Sequence, residues 1–166
     1  MSTELVRQDK DVVVLRTFSK IYGMAGLRAG ALYGRPDLLA KVAEYGRGGN
    51  LPVTATACAA ASMKVGPALM KERLEINRKN RDFTYEHLEK MGVSYIPSTS
   101  NFFMMSVKGM TGAQVGTAMA EKKIILAGNR WPEWPQHIRV TVGTYDEMVK
   151  FNGALDQVLK EGPAKA

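Results

Sequence analysis

The sequence contains very little cysteine and histidine. Cys58 is the single cysteine among 166 residues, which excludes an internal disulfide framework and a cysteine-based zinc cluster. The two histidines, His87 and His137, have no neighbouring side chains at the spacing of a metal site or a catalytic triad. We therefore predict no metal site, and we predict that Cys58 is a small buried residue.

Long apolar runs are missing as well. No run approaches the roughly 18 residues that cross a bilayer, and Met1–Lys10 lacks the apolar core of a signal peptide. Acidic residues are fewer than basic ones, 16 against 23, which leaves a net charge of +7. That excess favours anionic ligands, but the sequence has no basic patch interleaved with aromatic residues. We expect no membrane partner, no nucleic-acid partner and a cytoplasmic location, unless a longer parent carries an export signal before Met1.

The first part of the chain has an α/β pattern. Residues 11–16 form a short β-branched run, typical of a strand buried on both faces of a parallel sheet. Residues 27–34 are predicted to form a second strand, and Pro36 is suited to the first turn of a helix. A glycine-rich break follows at 46–52.

That break divides the chain into two predicted domains, residues 1–49 and residues 50–166. The second has the order helix, strand, helix, strand, helix, with strands over 102–107 and 137–142, so we predict an α+β domain. Its two shorter helices begin at capping boxes, Thr111 with Gln114 and Thr144 with Glu147.

A long helix is predicted from Pro67 to about Met91. One side of it is apolar and is expected to face the core: Leu69, Met70, Leu74, Ile76, Phe83, Leu88 and Met91. The other side is charged and is expected to face water, not a nucleic acid: Lys71, Glu72, Arg73, Arg78, Lys79 and Arg81. In the last helix, Met148, Phe151, Leu155 and Leu159 are predicted to face the core.

The segment from Thr17 to Gly30 carries the chemistry. Two hydroxyls and a lysine lead from a strand into a glycine-rich turn, which is followed by Arg28. Hydroxyls and a guanidinium bind phosphate well, and glycines let the backbone approach a ligand closely. Lys20 is either a counter-charge for a phosphate or an amine able to bond covalently to a carbonyl. The alternative is a tight turn with surface cations.

The complete pattern, Ser-Lys-x-x-Gly-x-x-Gly-x-Arg-x-Gly over 19–30, resembles the pyridoxal-phosphate lysine motif of class I/II aminotransferases, which have fold type I. Arg-Thr-Phe-Ser-Lys at 16–20, Asn-Phe at 101–102 and the segment 138–144 are most similar to the histidinol-phosphate aminotransferase branch. The resemblance implies the end of a fold type I large-domain sheet, followed by the α+β small domain. It also implies pyridoxal 5'-phosphate as cofactor.

The resemblance assigns a role to each matching residue. Lys20 corresponds to the catalytic lysine that holds the cofactor as a Schiff base and moves the proton at the substrate Cα. Thr17, Ser19 and Arg28 correspond to groups that bind the cofactor phosphate. Arg139 corresponds to the arginine that grips the substrate α-carboxylate, with an ordinary edge-strand cation as the alternative.

One departure from the branch concerns the substrate. Histidinol-phosphate aminotransferases often carry an arginine a few residues after the Asn-Phe pair, but residues 103–106 are Phe-Met-Met-Ser. We therefore assign no imidazole phosphate. Arg130 is the nearest replacement cation for an acidic side chain, or else a loop arginine stacked on Trp131 or Trp134.

The resemblance covers only the second half of the family's chain. The segments that supply an aspartate to the pyridine nitrogen and a tyrosine to the cofactor's 3' oxygen have no match here and are expected upstream of Met1. We therefore expect an aminotransferase that acts on an amino acid and a 2-oxo acid, a homodimer at full length, and inactive as this fragment. The alternatives are a decarboxylase of the threonine-phosphate type and a non-catalytic structural fragment.

Overall fold

The computed structural model of the chain describes residues 2–46, 50–128 and 131–162. The chain divides into two compact units, Met1–Arg73 and Leu74–Ala166. This division falls inside a long helix. The predicted domain boundary between residues 49 and 50 adjoins residues outside the described ranges, and it stays a prediction.

The N-terminal unit contains two helices and a strand pair before the long helix. Its elements in chain order are α1 (Ser2–Arg7), β1 (Val14–Thr17), a 3-10 turn (Ala25–Leu27), β2 (Gly30–Tyr33) and α2 (Pro36–Tyr45). The prediction of α2 from Pro36 is confirmed, since that proline occupies the first turn. α1 was not predicted from the sequence, because its six residues are too few to show a periodic pattern.

β1 and β2 form a hairpin. β1 and β2 are antiparallel, in a register that places Val14 opposite Tyr33 and Thr17 opposite Gly30. Residues 18–29 turn back without a crossover helix, and parallel neighbours need such a crossover. The expected burial of this strand on both faces is wrong for the chain, because Val14 is the one buried residue of β1 and Leu15 is 72% exposed.

The long helix, α3, extends from Val53 to Lys90, and Pro67 lies inside it. The predicted start at Pro67 is therefore wrong by about four turns. Pro67 cannot donate a hydrogen bond to the carbonyl of Met63, but the alanine-rich segment before it has high helix propensity. Cys58 lies in that segment and is exposed, so the prediction that it is buried is also wrong.

The buried face of α3 differs from the predicted apolar one. The predicted Leu88 is buried, but Leu74 and Ile76 are exposed, and the polar residues Asn80 and Thr84 are buried on the turns before Leu88. Hydrogen bonds compensate for the two polar groups: Asn80 Nδ2 donates to the Gly143 carbonyl at 2.9 Å, and Thr84 Oγ1 donates to the Asn80 carbonyl at 2.9 Å. Arg81, predicted on the solvated face, has a side chain only 12% exposed.

The C-terminal unit is an α+β layer structure. The end of α3 is followed by β3 (Ser94–Ile96), β4 (Phe102–Ser106), α4 (Gly112–Glu121), β5 (His137–Thr141) and α5 (Tyr145–Glu161). The strands form one antiparallel sheet in the order β3-β4-β5. The predicted strands at β4 and β5 are confirmed, whereas β3, which has three residues, was not predicted.

One face of this sheet contributes buried side chains to the hydrophobic core. Phe103 and Met105 of β4 and Ile138 and Val140 of β5 are buried, because successive strand residues point to opposite faces. The helices complete the core with the following buried side chains: Leu88, Val115, Met119, Met148, Phe151, Leu155 and Val158. Leu159, also predicted to face the core, packs against this cluster while partly exposed.

Both predicted capping boxes are present. Gln114 N donates to Thr111 Oγ1, and Thr111 N donates in return to Gln114 Oε1 at 2.8 Å. The same reciprocal pair joins Thr144 and Glu147 at the start of α5. In the described part of the chain, no helix has the length and apolar character needed to cross a membrane. Those same residues contain no group of three or more His, Cys, Asp and Glu side chains able to hold a metal ion.

Candidate functional site

The segment after β1 brings two of the predicted phosphate ligands together. Thr17 Oγ1 donates to Ser19 Oγ at 2.8 Å, and the backbone N–H of Ser19 donates to Thr17 Oγ1 at 3.0 Å. This is a local side-chain turn of the kind that Ser and Thr stabilise. Because Ser19 Oγ accepts the bond from Thr17, its own proton remains available to an anion.

Backbone hydrogen bonds join the two ends of the same segment, and its geometry requires glycine at two positions. Beyond the last residue pair of β1 and β2, Phe18 N donates to the Ala29 carbonyl at 3.1 Å. Ser19 and Arg28 are the next residues on the two sides of the hairpin. A Cβ on Gly30 would lie 2.8 Å from the Arg16 carbonyl oxygen, so this close approach requires glycine. Gly23 adopts φ +70°, a left-handed conformation that glycine tolerates.

Arg28 has an unusual backbone conformation. Its φ is 51°, in the left-handed region, where it ends the 3-10 turn. Non-glycine residues there are uncommon and tend to occur at functional sites. Its guanidinium is exposed, and one nitrogen, Nη1, donates to the Ala25 carbonyl at 2.9 Å. The structure places Arg28 outside the set of residues that line the neighbouring cavity.

A cavity of about 550 Å³ lies beside β1, which is within the size range of small-molecule sites. Its lining combines cations, a hydroxyl, aromatic rings and methionines: Leu15, Arg16, Thr17, Phe18, Lys20, Ile21, Tyr22, Tyr33, Met63 and Met70. Lys20 and Thr17 thus border the same space. The sequence predicted no role for Arg16, Tyr22 and Tyr33, because their place on the lining depends on how β1, β2 and α3 pack together.

The first half of α3 anchors the loop that carries Lys20. The Tyr22 hydroxyl donates to Met70 Sδ at 3.1 Å, and the Arg73 guanidinium donates to the Ile21 carbonyl. Tyr22 also packs on Phe18, with ring centroids 5.2 Å apart. A Cβ on Gly66 would lie 3.2 Å from the Tyr22 hydroxyl, so glycine leaves room for the ring. These contacts hold the backbone on the C-terminal side of Lys20.

Arg139, the predicted carboxylate-binding residue, belongs to the C-terminal unit. It lies on β5 opposite Met104, and its backbone also forms an isolated bridge with Ala127. β5 is the last strand in the order β3-β4-β5, and the bridge with Ala127 gives Arg139 a backbone neighbour on its other side. The role of Arg139 in binding a carboxylate stays a prediction. Its Cζ lies over the Phe102 ring, 5.4 Å from the centroid. Its Nε is buried and has no hydrogen-bond partner within the described ranges.

The remaining candidates have structural contacts or lie outside the described residues. His87 Nε2 lies 2.8 Å from Asp156 Oδ1, which links α3 to α5. His137 packs against Trp134 with ring centroids 5.6 Å apart. Arg130, the predicted replacement cation, lies outside the described residues.

The fold and the lysine-bearing turn together define a class of protein, the fold type I aminotransferases. Residues 3–154 match the family described as aminotransferase class I and II. The chain belongs to this family, whose members use pyridoxal 5'-phosphate.

Individual relatives point to the same branch. A histidinol-phosphate aminotransferase from Symbiobacterium thermophilum is 34% identical over 162 residues, covering 97% of this chain and 44% of the relative. A proposed histidinol-phosphate aminotransferase from Erwinia carotovora atroseptica is similar at a TM-score of 0.89 and 25% identity, over 97% of this chain and 46% of that one.

A third relative was solved with the cofactor. The structure of histidinol-phosphate aminotransferase from Sinorhizobium meliloti in complex with pyridoxal-5'-phosphate has a TM-score of 0.73 at 22% identity, over 91% of this chain and 42% of that chain. At that identity the likeness concerns the fold alone. The chain thus spans a little under half the length of the relatives it matches.

Proposed function

We propose that this chain is the C-terminal part of a pyridoxal-phosphate-dependent aminotransferase that exchanges an amino group between an amino acid and a 2-oxo acid. One observation supports the proposal: Lys20 and Thr17 both line a cavity of about 550 Å³, and Thr17 is hydrogen-bonded to the Ser19 hydroxyl. A primary amine beside hydroxyl donors suits a ligand that has both an aldehyde and a phosphate.

The phosphate end of the cofactor would be held by Ser19 and Arg28, while Thr17, whose one proton goes to Ser19 Oγ, would orient the Ser19 hydroxyl. The Ser19 proton is available, because Ser19 Oγ accepts from Thr17. A guanidinium has five N–H donors, so Arg28 retains donors beyond the one it gives to the Ala25 carbonyl. The residues present therefore fit a phosphate group at this turn.

Lys20 would have two roles. Its amine would condense with the aldehyde, the C=N bond replacing the C=O bond with loss of water, and during turnover the amine would carry the proton to and from the substrate Cα. When bound, the cofactor supplies an electron sink for the charge left at that carbon. The contacts of Tyr22 and Arg73 limit the motion of the loop and so keep the amine at the cavity.

Arg139 would bind the substrate α-carboxylate. A guanidinium fork pairs with a carboxylate through two parallel N–H donors, which fixes orientation as well as charge. The Arg139 Cζ lies over the Phe102 ring, 5.4 Å from its centroid, and its Nε has no hydrogen-bond partner in the described part of the chain. A homodimer at full length and a cytoplasmic location are part of the same proposal.

A labelling experiment tests the assignment of Lys20 in this chain. After incubation with pyridoxal phosphate and reduction with borohydride, mass spectrometry should locate the pyridoxyl group on Lys20. The Lys20→Ala variant should lose most of the label, whereas Lys41→Ala, which removes an exposed lysine of α2, should keep it. Equal labelling of the Lys20→Ala variant and the wild type would refute the assignment.

We also propose that the 166-residue chain alone is inactive. No carboxylate is among the described residues that line the Lys20 cavity, so the pyridine nitrogen has no acidic partner there. Assays of amine transfer and of carbon dioxide release from amino acids test this, and they also separate an aminotransferase from a decarboxylase. Turnover by the pure chain in either assay would contradict the proposed inactivity.

A further inference from the structure

We infer that Phe102 is a positioning residue for Arg139, holding its guanidinium in the orientation that receives a carboxylate. The inference rests on the proposed function of Arg139 as the carboxylate-binding arginine. It adds a second residue to that site, one that acts through Arg139 and not on the substrate itself.

The sheet register brings the two side chains together. Arg139 lies opposite Met104, and Phe102 lies opposite Thr141, so Phe102 and Arg139 are diagonal neighbours on one face. The other face of these strands is the buried core. The Cζ atom of Arg139 lies 5.4 Å from the Phe102 ring centroid, within the range of a cation–π contact.

The contact with Phe102 matters because, within the described residues, the Nε atom of Arg139 has no hydrogen bond that would orient the guanidinium. That atom is buried, and no acceptor in the described part of the chain fixes the guanidinium through it. An aromatic ring contacts the face of a guanidinium, whereas a carboxylate is bound by donors in its plane. Phe102 can therefore orient the group without using any donor that the carboxylate needs.

The position of Phe102 is itself well determined. Its backbone N–H donates to Ser100 Oγ at 3.3 Å, and Asn101 just before it accepts a bond from Val142 N at 2.9 Å. The Ser100 carbonyl accepts from Asn77 Nδ2 at 3.2 Å and from Arg81 Nη1 at 3.3 Å. These bonds connect the loop before β4 to α3, so the ring is presented to Arg139 from a fixed backbone.

The test uses this chain, with pyruvate as the carboxylate probe and neutral pyruvamide as its control. The side-chain Nε–H signal of Arg139 is observed by NMR and assigned by its absence in Arg139→Lys. Phe102→Leu removes the aromatic face, Phe102→Tyr keeps it, and Met104→Leu alters a neighbour on the same sheet face. Thermal melting of each variant verifies that it is folded.

We expect Phe102→Leu to shift the Arg139 signal and to weaken pyruvate binding roughly three- to tenfold. Phe102→Tyr and Met104→Leu should bind pyruvate as the wild type does. Unchanged pyruvate binding in Phe102→Leu would overturn the inference and leave the assignment of Arg139 intact. Absence of any pyruvate effect on the wild-type Arg139 signal would overturn that assignment, and the inference with it.

Discussion

The first residue of α4, Gly112, lies directly against the backbone of His137 on β5. A Cβ on Gly112 would overlap the His137 carbonyl oxygen, at a separation that real Cβ atoms do not show. The Gly112 N–H also donates to the Pro135 carbonyl at 2.8 Å, so the start of α4 is joined to the segment that leads into β5. The spacing between α4 and β5 therefore depends on the absence of a side chain at residue 112.

Replacement of Gly112 by alanine should destabilise the C-terminal unit by about 1–3 kcal/mol, since backbone atoms must move to admit the methyl group. Urea unfolding followed by tryptophan fluorescence measures this, because Trp131 and Trp134, the two tryptophans of the sequence, belong to the C-terminal unit. A Gly112→Ala variant with the wild-type midpoint would contradict the close packing described here.

Gly153 provides the opposite prediction within the same unit. It lies inside α5, and a Cβ there would meet no atom within 4 Å. Gly153→Ala should stabilise the unit by roughly 0.5–1 kcal/mol, because alanine has less backbone freedom to lose in a helix. The same fluorescence assay compares the two alanine variants, and a lower midpoint for Gly153→Ala would show that residue 153 is crowded.

The hairpin formed by β1 and β2, whose connecting segment carries Lys20, should tolerate no side chain at Gly30. A Cβ there would lie 2.8 Å from the Arg16 carbonyl oxygen and would force β1 and β2 apart. We expect Gly30→Val to reduce the borohydride-fixed label on Lys20 at least severalfold, because Thr17 is the register partner of Gly30. Gly26→Ala is the matched control, since a Cβ at Gly26 meets nothing within 4 Å.

Glu147 gives a prediction for acidic pH. Hydrogen bonds from the backbone N–H and the hydroxyl of Thr144 lower the pKa of Glu147 below its ordinary value of 4.5. The charged capping box therefore contributes its stability above pH 4.5 and loses it as the pH falls through the lower pKa of the folded state. The Glu147→Gln variant should keep a capping box of the Thr-Gln type seen at Thr111 and Gln114. Its free energy of unfolding should fall less than that of the wild type between about pH 5 and 3, because glutamine does not titrate. A variant whose acid unfolding coincides with that of the wild type would refute this.

Tyr95 gives a prediction for alkaline pH. Its hydroxyl donates to Glu89 Oε1 at 2.6 Å, and this bond, aided by burial, raises the pKa of Tyr95 to about 12. The bond stabilises the fold fully below pH 10 and is lost as the pH rises through 12. A titration of phenolate absorbance should contain one step near pH 12 that Tyr95→Phe abolishes and Glu89→Gln moves to lower pH. A Glu89→Gln variant that leaves this step in place would show that the carboxylate is not its cause.

Some of the structure was predictable because its signals are local. A capping box depends on two residues three positions apart, and both boxes were found from the sequence. The strands at β4 and β5 were found from their apolar runs, to within one residue at the end of each. The buried face of α3 was found only in part, at Phe83 and Leu88. Asn80 and Thr84 were missed, because they have polar side chains whose hydrogen bonds depend on tertiary contacts and on helix geometry.

The sequence by itself determined the family of this protein, since the lysine-bearing turn and the segment around Arg139 are short motifs whose residue types the chemistry requires. It also indicated where most of the helices and strands lie. Only the tertiary structure decided the antiparallel pairing of β1 with β2, the passage of α3 through Pro67 and the exposure of Cys58. The contact between Phe102 and Arg139 belongs with these, because it depends on the register of two strands that are far apart in the chain.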